Sequence, residues 1–175
     1  MEAETIEQYK DETFRNLKKN ESMHGDENGN VTLKDSRFNI MGADYFMSDI
    51  LHMLSQTYGS GAGGILRETG EDYGQDLLDI MNAGENFNEA FGTLLGLLKF
   101  LGYSDPQIND DKIVFPSSPT AVEHLKKDYE QKRTCYFLTG VLSGAAKQLD
   151  EGIRFIEEEC RANGDENCTF RVKEK

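Results

Sequence analysis

Apolar residues recur at helical spacing in several stretches of the chain, and these stretches predict helices. They lie at residues 3–19, 44–58, 65–81, 87–101, 120–132 and 135–149. The stretch at 87–101 carries the strongest core signal, because large apolar side chains repeat along one face before Gly102 offers a stop. Asp44 can cap the helix that follows it. The stretch at 3–19 is so rich in charge that it predicts a peripheral, loosely docked helix.

Short β-prone runs separate these helices and close the chain. The clearest are residues 31–33, 37–41 and "KIVF" at 112–115. Near the end, "IRFIEEEC" and "CTFRV" alternate around a turn containing Asn163-Gly164, which predicts a β-hairpin. Helices and antiparallel strands mix without a β-α-β rhythm. The predicted class is therefore α+β, with a small antiparallel sheet packed by several helices.

Two of the predicted helices carry glycines one turn apart. Gly70 and Gly74 form one pair, and Gly140 and Gly144 form the other. Such a bare strip lets another element approach closely, despite the helix cost of glycine. The pattern leaves open whether the element that approaches belongs to the same chain or to a second copy.

Charge and local composition exclude several classes of function. The formal net charge of −13 opposes binding to nucleic acid or to an anionic membrane. The longest apolar run, "LLGLLKFLG", is far shorter than the about 20 residues of a membrane span. "GSGAGG" at 59–64 predicts a loop rather than a phosphate site, because no Lys-Ser/Thr follows it. The polar start of the sequence lacks signal-peptide character, so we expect a cytoplasmic protein.

The three cysteines are candidate metal ligands. The predicted hairpin brings Cys160 and Cys168 to the base of its turn, and Cys135 opens the helix that leads into it. Three other interpretations compete with a metal site: reduced structural thiols, a Cys160–Cys168 disulfide, and a redox-sensing pair.

A carboxylate offers the fourth ligand that three thiolates would need. Glu157 stands three residues before Cys160, but residues at this spacing point to opposite faces of a regular strand. Both could bind one ion only if a bulge or twist intervenes. Glu158 is therefore a rival ligand.

These residues carry a family resemblance. The segment "CYFLTGVLSGAAKQLDEGIRFIEEECRANGDENCTFRV" resembles the end of the 4-vinyl-reductase domain family, with its Cys-led glycine helix, Glu-x-x-Cys strand and Cys-x-Phe-x-Val strand. "GGILRETGEDYGQDLL" is similar to an earlier helix of that family. The resemblance implies a domain at 31–175, preceded at 1–30 by the peripheral helix and a turn.

The resemblance also implies a cofactor. In the aromatic-sensing members that bind zinc, the matching residues here would be Cys135, Glu157, Cys160 and Cys168. It thereby favours Glu157 over Glu158. Four protein ligands leave no open position, so the zinc would be structural and would staple the hairpin to the helix. An open three-cysteine catalytic site is the rival interpretation.

The function that the family implies is binding of a hydrophobic or aromatic small molecule by a homodimer, as a sensor or carrier. The apolar helix faces supply candidate pocket walls, although each such residue is more often plain core. These candidates are Phe46, Ile50, Leu54, Phe91, Leu95, Leu98, Tyr136 and Phe137.

Two alternatives stay open. The first is an accessory protein or enzyme of tetrapyrrole vinyl-group reduction, although no dinucleotide fingerprint or iron–sulfur cysteine run occurs. We therefore expect no independent catalytic activity. The second is an assembly module similar to vesicle-tethering subunits.

Overall fold

The computed structural model of the chain describes residues 2–19, 23–25, 31–33, 36–38, 43–130 and 133–174. The helices are α1 (Ala3–Lys19), α2 (Ala43–Tyr58), α3 (Ala62–Met81), α4 (Phe87–Phe100), α5 (Pro119–Lys126) and α6 (Tyr136–Leu149). The strands are β1 (Met23–Gly25), β2 (Val31–Leu33), β3 (Ser36–Phe38), β4 (Gln107–Asn109), β5 (Lys112–Phe115), β6 (Ile153–Glu159) and β7 (Cys168–Glu174).

The strands form two antiparallel sheets. The larger has the order β4-β5-β7-β6, and β6 and β7 are the two arms of the predicted C-terminal hairpin. The smaller has the order β1-β2-β3. Helix α6 lies along β6, where the Ser143 hydroxyl accepts the Phe155 N–H at 3.0 Å. The α+β class with a small antiparallel sheet packed by helices is confirmed.

The crossing of α3 and α6 is built on the two glycine pairs. A Cβ added at Gly70 would overlap the Phe137 carbonyl, and one at Gly140 would overlap the Arg67 carbonyl. One turn further along, Gly74 and Gly144 meet the other helix just as closely. The glycines therefore serve packing within one chain, which answers the question that the sequence left open.

Helix α1 packs against α4 by the same device. A Cβ added at Gly92 would lie 2.6 Å from the Ile6 carbonyl oxygen, and one at Gly96 would lie 2.5 Å from that of Lys10. Ile6 is fully buried and belongs to the main core. The helix is present as predicted, but it docks more tightly than its charge suggests. The domain boundary at residue 31 stays a prediction.

Several predicted boundaries differ from the structure. Helix α3 begins at Ala62, so the second half of "GSGAGG" is helical and only Gly59–Gly61 forms a short 3-10 turn before it. Helix α2 begins at Ala43, which puts Asp44 inside the helix rather than at its cap. Helix α5 ends at Lys126, earlier than predicted. Residues 39–41 of the predicted second strand lie outside the described residues. Among those residues, no helix is both long and apolar enough to cross a membrane.

The glycine crossing predicts a clear contrast between two alanine substitutions. Gly144→Ala should destabilise the protein, because overpacking against the Glu71 carbonyl costs about 1–3 kcal/mol, more than the gain in helix propensity. Urea unfolding followed by circular dichroism measures the change. Gly64→Ala is the control, because this exposed α3 position has nothing within 4 Å of an added Cβ. Equal stability of the two variants would contradict the close crossing.

Candidate metal centre

Three elements converge on the cysteines. Cys135 is the residue immediately before α6, Cys160 directly follows β6, and Cys168 begins β7. The turn between the strands is closed by Gly164, whose φ of 94° is a left-handed conformation that glycine adopts without strain. The Asp165 carboxylate accepts the Cys160 N–H at 2.8 Å and fixes the end of β6.

The three sulfurs form one buried cluster. They all lie within 4.8 Å of one another, and the Cys135 and Cys168 sulfurs are 3.5 Å apart. No more than 2% of any of these cysteines is exposed. The Thr134 hydroxyl lies 3.5 Å from the Cys160 sulfur. All three thiols are free, so the cross-hairpin disulfide is not formed.

A β-bulge decides which glutamate faces the cluster. Glu157 pairs with Phe170 and Glu159 pairs with Thr169, so Glu158 is the extra residue on β6. This insertion resets the alternation of side chains. Glu157 and Cys160 are accordingly both buried, whereas a regular strand would turn them to opposite faces.

Glu158 faces the other side of the sheet. Its carboxylate pairs with Lys112 at 2.8 Å and with Arg171 at 2.6 Å. These partners lower the pKa of Glu158, chiefly through the Lys112 hydrogen bond. The geometry therefore favours Glu157 over Glu158 as the neighbour of the sulfurs.

Glu157 is an isolated buried carboxyl group. It is 7% exposed, and within the described part of the chain neither of its oxygens has a hydrogen-bond partner. Burial, followed by the negative charge of Cys160, raises the pKa of Glu157 to about 8. Such a group is costly unless something compensates its charge.

The cysteines perturb one another in the same way. Hydrogen bonding by Cys135 and Cys168 holds the pKa of the Cys160 thiol far below its usual value. The hydrogen bond with Cys160 raises the pKa of Cys135 well above its usual value. One thiolate is thus stabilised by protons shared among neighbouring sulfurs, and a divalent cation would replace those protons.

The donor set fits zinc. Two thiolates bound at about 2.3 Å in a tetrahedron lie about 3.8 Å apart, close to the sulfur spacing of the cluster. Cys135, Cys160 and Cys168 would supply these thiolates, and the unpartnered carboxylate of Glu157 would complete the set. The oxygens of Glu157 lie outside the 4.8 Å group of sulfurs, so this side chain would have to close in. A zinc ion would supply a cross-link between α6 and the hairpin.

The predicted pocket walls are divided between two clusters. Phe91, Leu95 and Leu98 are at most 1% exposed and fill the main core, where Phe91 stacks on Phe155 at 5.4 Å between ring centroids. Phe46 is 42% exposed. The remaining four candidates pack against a second, smaller cluster formed by Leu51, Ala62 and Leu66. These four are Ile50, Leu54, Tyr136 and Phe137.

A cavity of about 260 Å³ borders this second cluster. Its walls include Leu51 and Ser55 of α2, Gly63 of α3 and Tyr136 of α6. Gly63 leaves room for the Tyr136 ring, which a Cβ there would meet at 2.7 Å. Sequence patterns identified Tyr136 but missed Ser55 and Gly63. The glycine-rich run at 59–64 was the available signal.

Comparison with known proteins agrees with this geometry. Residues 122–174 match the family model of the 4-vinyl-reductase domain. The chain carries a 4-vinyl-reductase domain. The matched segment contains all three cysteines and Glu157, and the predicted family is confirmed. No curated protein matches the chain in sequence.

Two solved structures resemble this 4-vinyl-reductase-domain protein in fold. One is the phenol-responsive sensory domain of the transcription activator PoxR, solved with phenol, at a TM-score of 0.75 and 18% identity. That comparison covers 94% of this chain and 89% of the other. The second is a vinyl-4-reductase family protein from Methanocaldococcus jannaschii, at a TM-score of 0.50 and 20% identity, covering 81% and 85%. At these identities the likeness concerns the fold.

The bulge predicts different consequences for neighbouring glutamates. Glu157→Gln should weaken zinc binding by at least about 10- to 100-fold, a loss that even outer-shell substitutions produce. Competition with a chromogenic chelator measures the affinity. Glu158→Gln is the matched control, because it removes the same charge from the opposite face and should leave the affinity unchanged. Equal losses in both variants would exclude a specific role of Glu157.

Proposed function

We propose that the protein is a zinc-stabilised, homodimeric, cytoplasmic binding protein that holds a hydrophobic or aromatic small molecule as a sensor or carrier. The observation that carries the proposal is the buried cluster of Cys135, Cys160 and Cys168, with Glu157 beside it, in the fold of a phenol-responsive sensory domain. Three buried thiols without a disulfide are typical of a reducing compartment, which supports the cytoplasm.

The metal would have a structural role in this function. The main core and the second cluster meet α6 on adjacent faces, and Cys135 holds the start of that helix. A zinc ion that binds Cys135 together with the hairpin would fix the position of the neighbouring Tyr136. Because Tyr136 is a wall of the 260 Å³ cavity, the metal would stabilise one side of the ligand site.

The size and lining of that cavity suit a small aromatic ligand. A cavity of about 150 Å³ is already large enough to bind benzene in another protein. The lining here combines the buried Leu51 and the Tyr136 ring with the hydroxyl groups of Ser55 and Ser60. An apolar site with a few polar groups would bind the ring and orient a substituent such as a hydroxyl.

Phenol is a suitable probe of this site. Saturating phenol should raise the thermal unfolding midpoint of the protein, because a ligand at about 100 times its dissociation constant stabilises by about 2.7 kcal/mol. Ser55→Trp should abolish the shift by filling the cavity. Gln56→Trp, on the exposed face of the same helix, should keep it. A shift that survives in Ser55→Trp would place the ligand elsewhere, and no shift with any single-ring aromatic would contradict the binding function.

Tetrapyrrole chemistry is a weaker candidate. The fold of a vinyl-4-reductase family protein supports it. A cavity of 260 Å³ admits a single ring but not a tetrapyrrole macrocycle, so such a substrate would require a different opening of the helices. The closely filled main core is more consistent with an assembly role, which is compatible with a homodimer.

Exposed apolar side chains on α2 and early α3 support the dimer. Phe46, Met53, Tyr58 and Ile65 are all large, hydrophobic and 41–61% exposed. Such a concentration on one surface is typical of an interaction site. Helices α2 and α3 would therefore provide the interface between two copies.

Light scattering tests this interface. The unmodified protein should have twice the chain mass of 19.8 kDa. Met53→Glu should shift it towards monomer, because a buried unpaired charge opposes association. Leu125→Glu is the control, since Leu125 is a comparably exposed apolar residue on α5. A monomeric unmodified protein, or equal effects of the two variants, would contradict an α2–α3 interface.

A further inference from the structure

A second cavity lies on the outer side of the candidate metal centre. It has a volume of about 170 Å³ and lies between α3, α6 and β6. Its walls are Arg67, Arg133, Tyr136, Thr139, Ile156 and Glu157. Glu157 therefore borders both the cysteine cluster and this cavity, whereas the three sulfurs do not line it.

Two arginines supply positive charge to this cavity. Arg133 donates to the Glu157 carbonyl oxygen at 2.6 Å, and Arg67 donates to the Phe155 carbonyl oxygen at 3.4 Å. Arg67 also pairs with Glu71 at 3.5 Å. In the described part of the chain these contacts use one N–H group of Arg133 and two of Arg67. Each guanidinium has five, so donors remain for a ligand.

The charges balance only when the arginines are included. A divalent cation with three thiolates and one carboxylate has a net charge of −2, and Arg67 and Arg133 together contribute +2. In a protein with a net charge of −13, two arginines beside one buried carboxylate are a local exception. Their charge would stabilise any single anion in the fourth ligand position, whether or not Glu157 supplies it.

The three sulfurs and Glu157 differ in how fully they are positioned. The sulfurs already lie within 4.8 Å of one another, but the Glu157 oxygens are outside this group. The carboxylate is also without hydrogen bonds from the described residues that would hold it in place. Three ligands are thus preorganised, while the fourth must move at the wall of an open cavity.

We propose that the Arg67–Arg133 cavity is a binding site for a small anion, which replaces Glu157 as the fourth ligand of the metal. The proposal rests on the zinc centre proposed above. The exchange is a ligand substitution: one bond from the metal to a carboxylate oxygen breaks and one bond to the anion forms, with no electron transfer. The displaced carboxylate and the bound anion both remain beside the two guanidinium groups.

Azide and the cobalt-substituted protein test the proposal. Cobalt(II) replaces zinc in tetrahedral sites, and its visible absorption reports a change of ligand. Azide should change the spectrum of the unmodified protein with saturation, while the cobalt stays bound. Arg67→Gln should raise the half-saturating azide concentration by about tenfold or more, because it removes a charged hydrogen-bond donor. Arg67→Lys should recover part of the affinity.

Arg154→Gln is the matched control. It removes the same charge from an exposed position of β6, so the azide response should remain unchanged. Cobalt that binds but does not respond to azide would overturn the proposal and leave the zinc function intact. Equal effects of Arg67→Gln and Arg154→Gln, or loss of cobalt on adding azide, would also overturn it. Failure to bind cobalt or zinc at all would instead contradict the proposed metal centre itself.

Discussion

The close crossing of α3 and α6 is the contact on which the candidate site depends. Four glycines remove the side chains between these helices, so that each backbone packs directly against the other. Ser143 then joins α6 to the edge of β6 through the Phe155 N–H. With α6 held from both sides, Cys135 at its start lies beside the two hairpin cysteines. A larger spacing between the helices would separate Cys135 from Cys168.

The electrostatics of the centre follow from the burial of that meeting point. Three thiols and the carboxyl group of Glu157 share an interior region where isolated negative charge is unfavourable. Shared protons compensate part of the charge, and a divalent cation would compensate more of it. Arg133 and Arg67 add positive charge from the outside. This arrangement connects the proposed structural metal, the adjacent small-molecule cavity and the proposed anion site through one short segment of β6.

The main core and the second cluster divide the work of the fold. Phe91, Leu95 and Leu98 pack against the sheet and stabilise the domain. The smaller cluster between α2, α3 and α6 borders the 260 Å³ cavity and is the better candidate for ligand binding. The periodicity of α4 predicted its buried face correctly. It could not separate residues that fill a core from residues that line a pocket, because both are apolar and occur at the same helical spacing.

The sequence by itself determined the helices, the C-terminal hairpin, the α+β class and the three cysteines as a group, since periodicity and turn chemistry are local properties. It named Glu157 only through a family resemblance, because regular alternation in a strand argued against it. Tertiary structure decided the rest. The bulge at Glu158 depends on pairing between β6 and β7, and the partner of each glycine pair depends on how distant helices pack. Arg67 and Tyr136 are far apart in sequence, and only the crossing of α3 with α6 makes them walls of the same cavity.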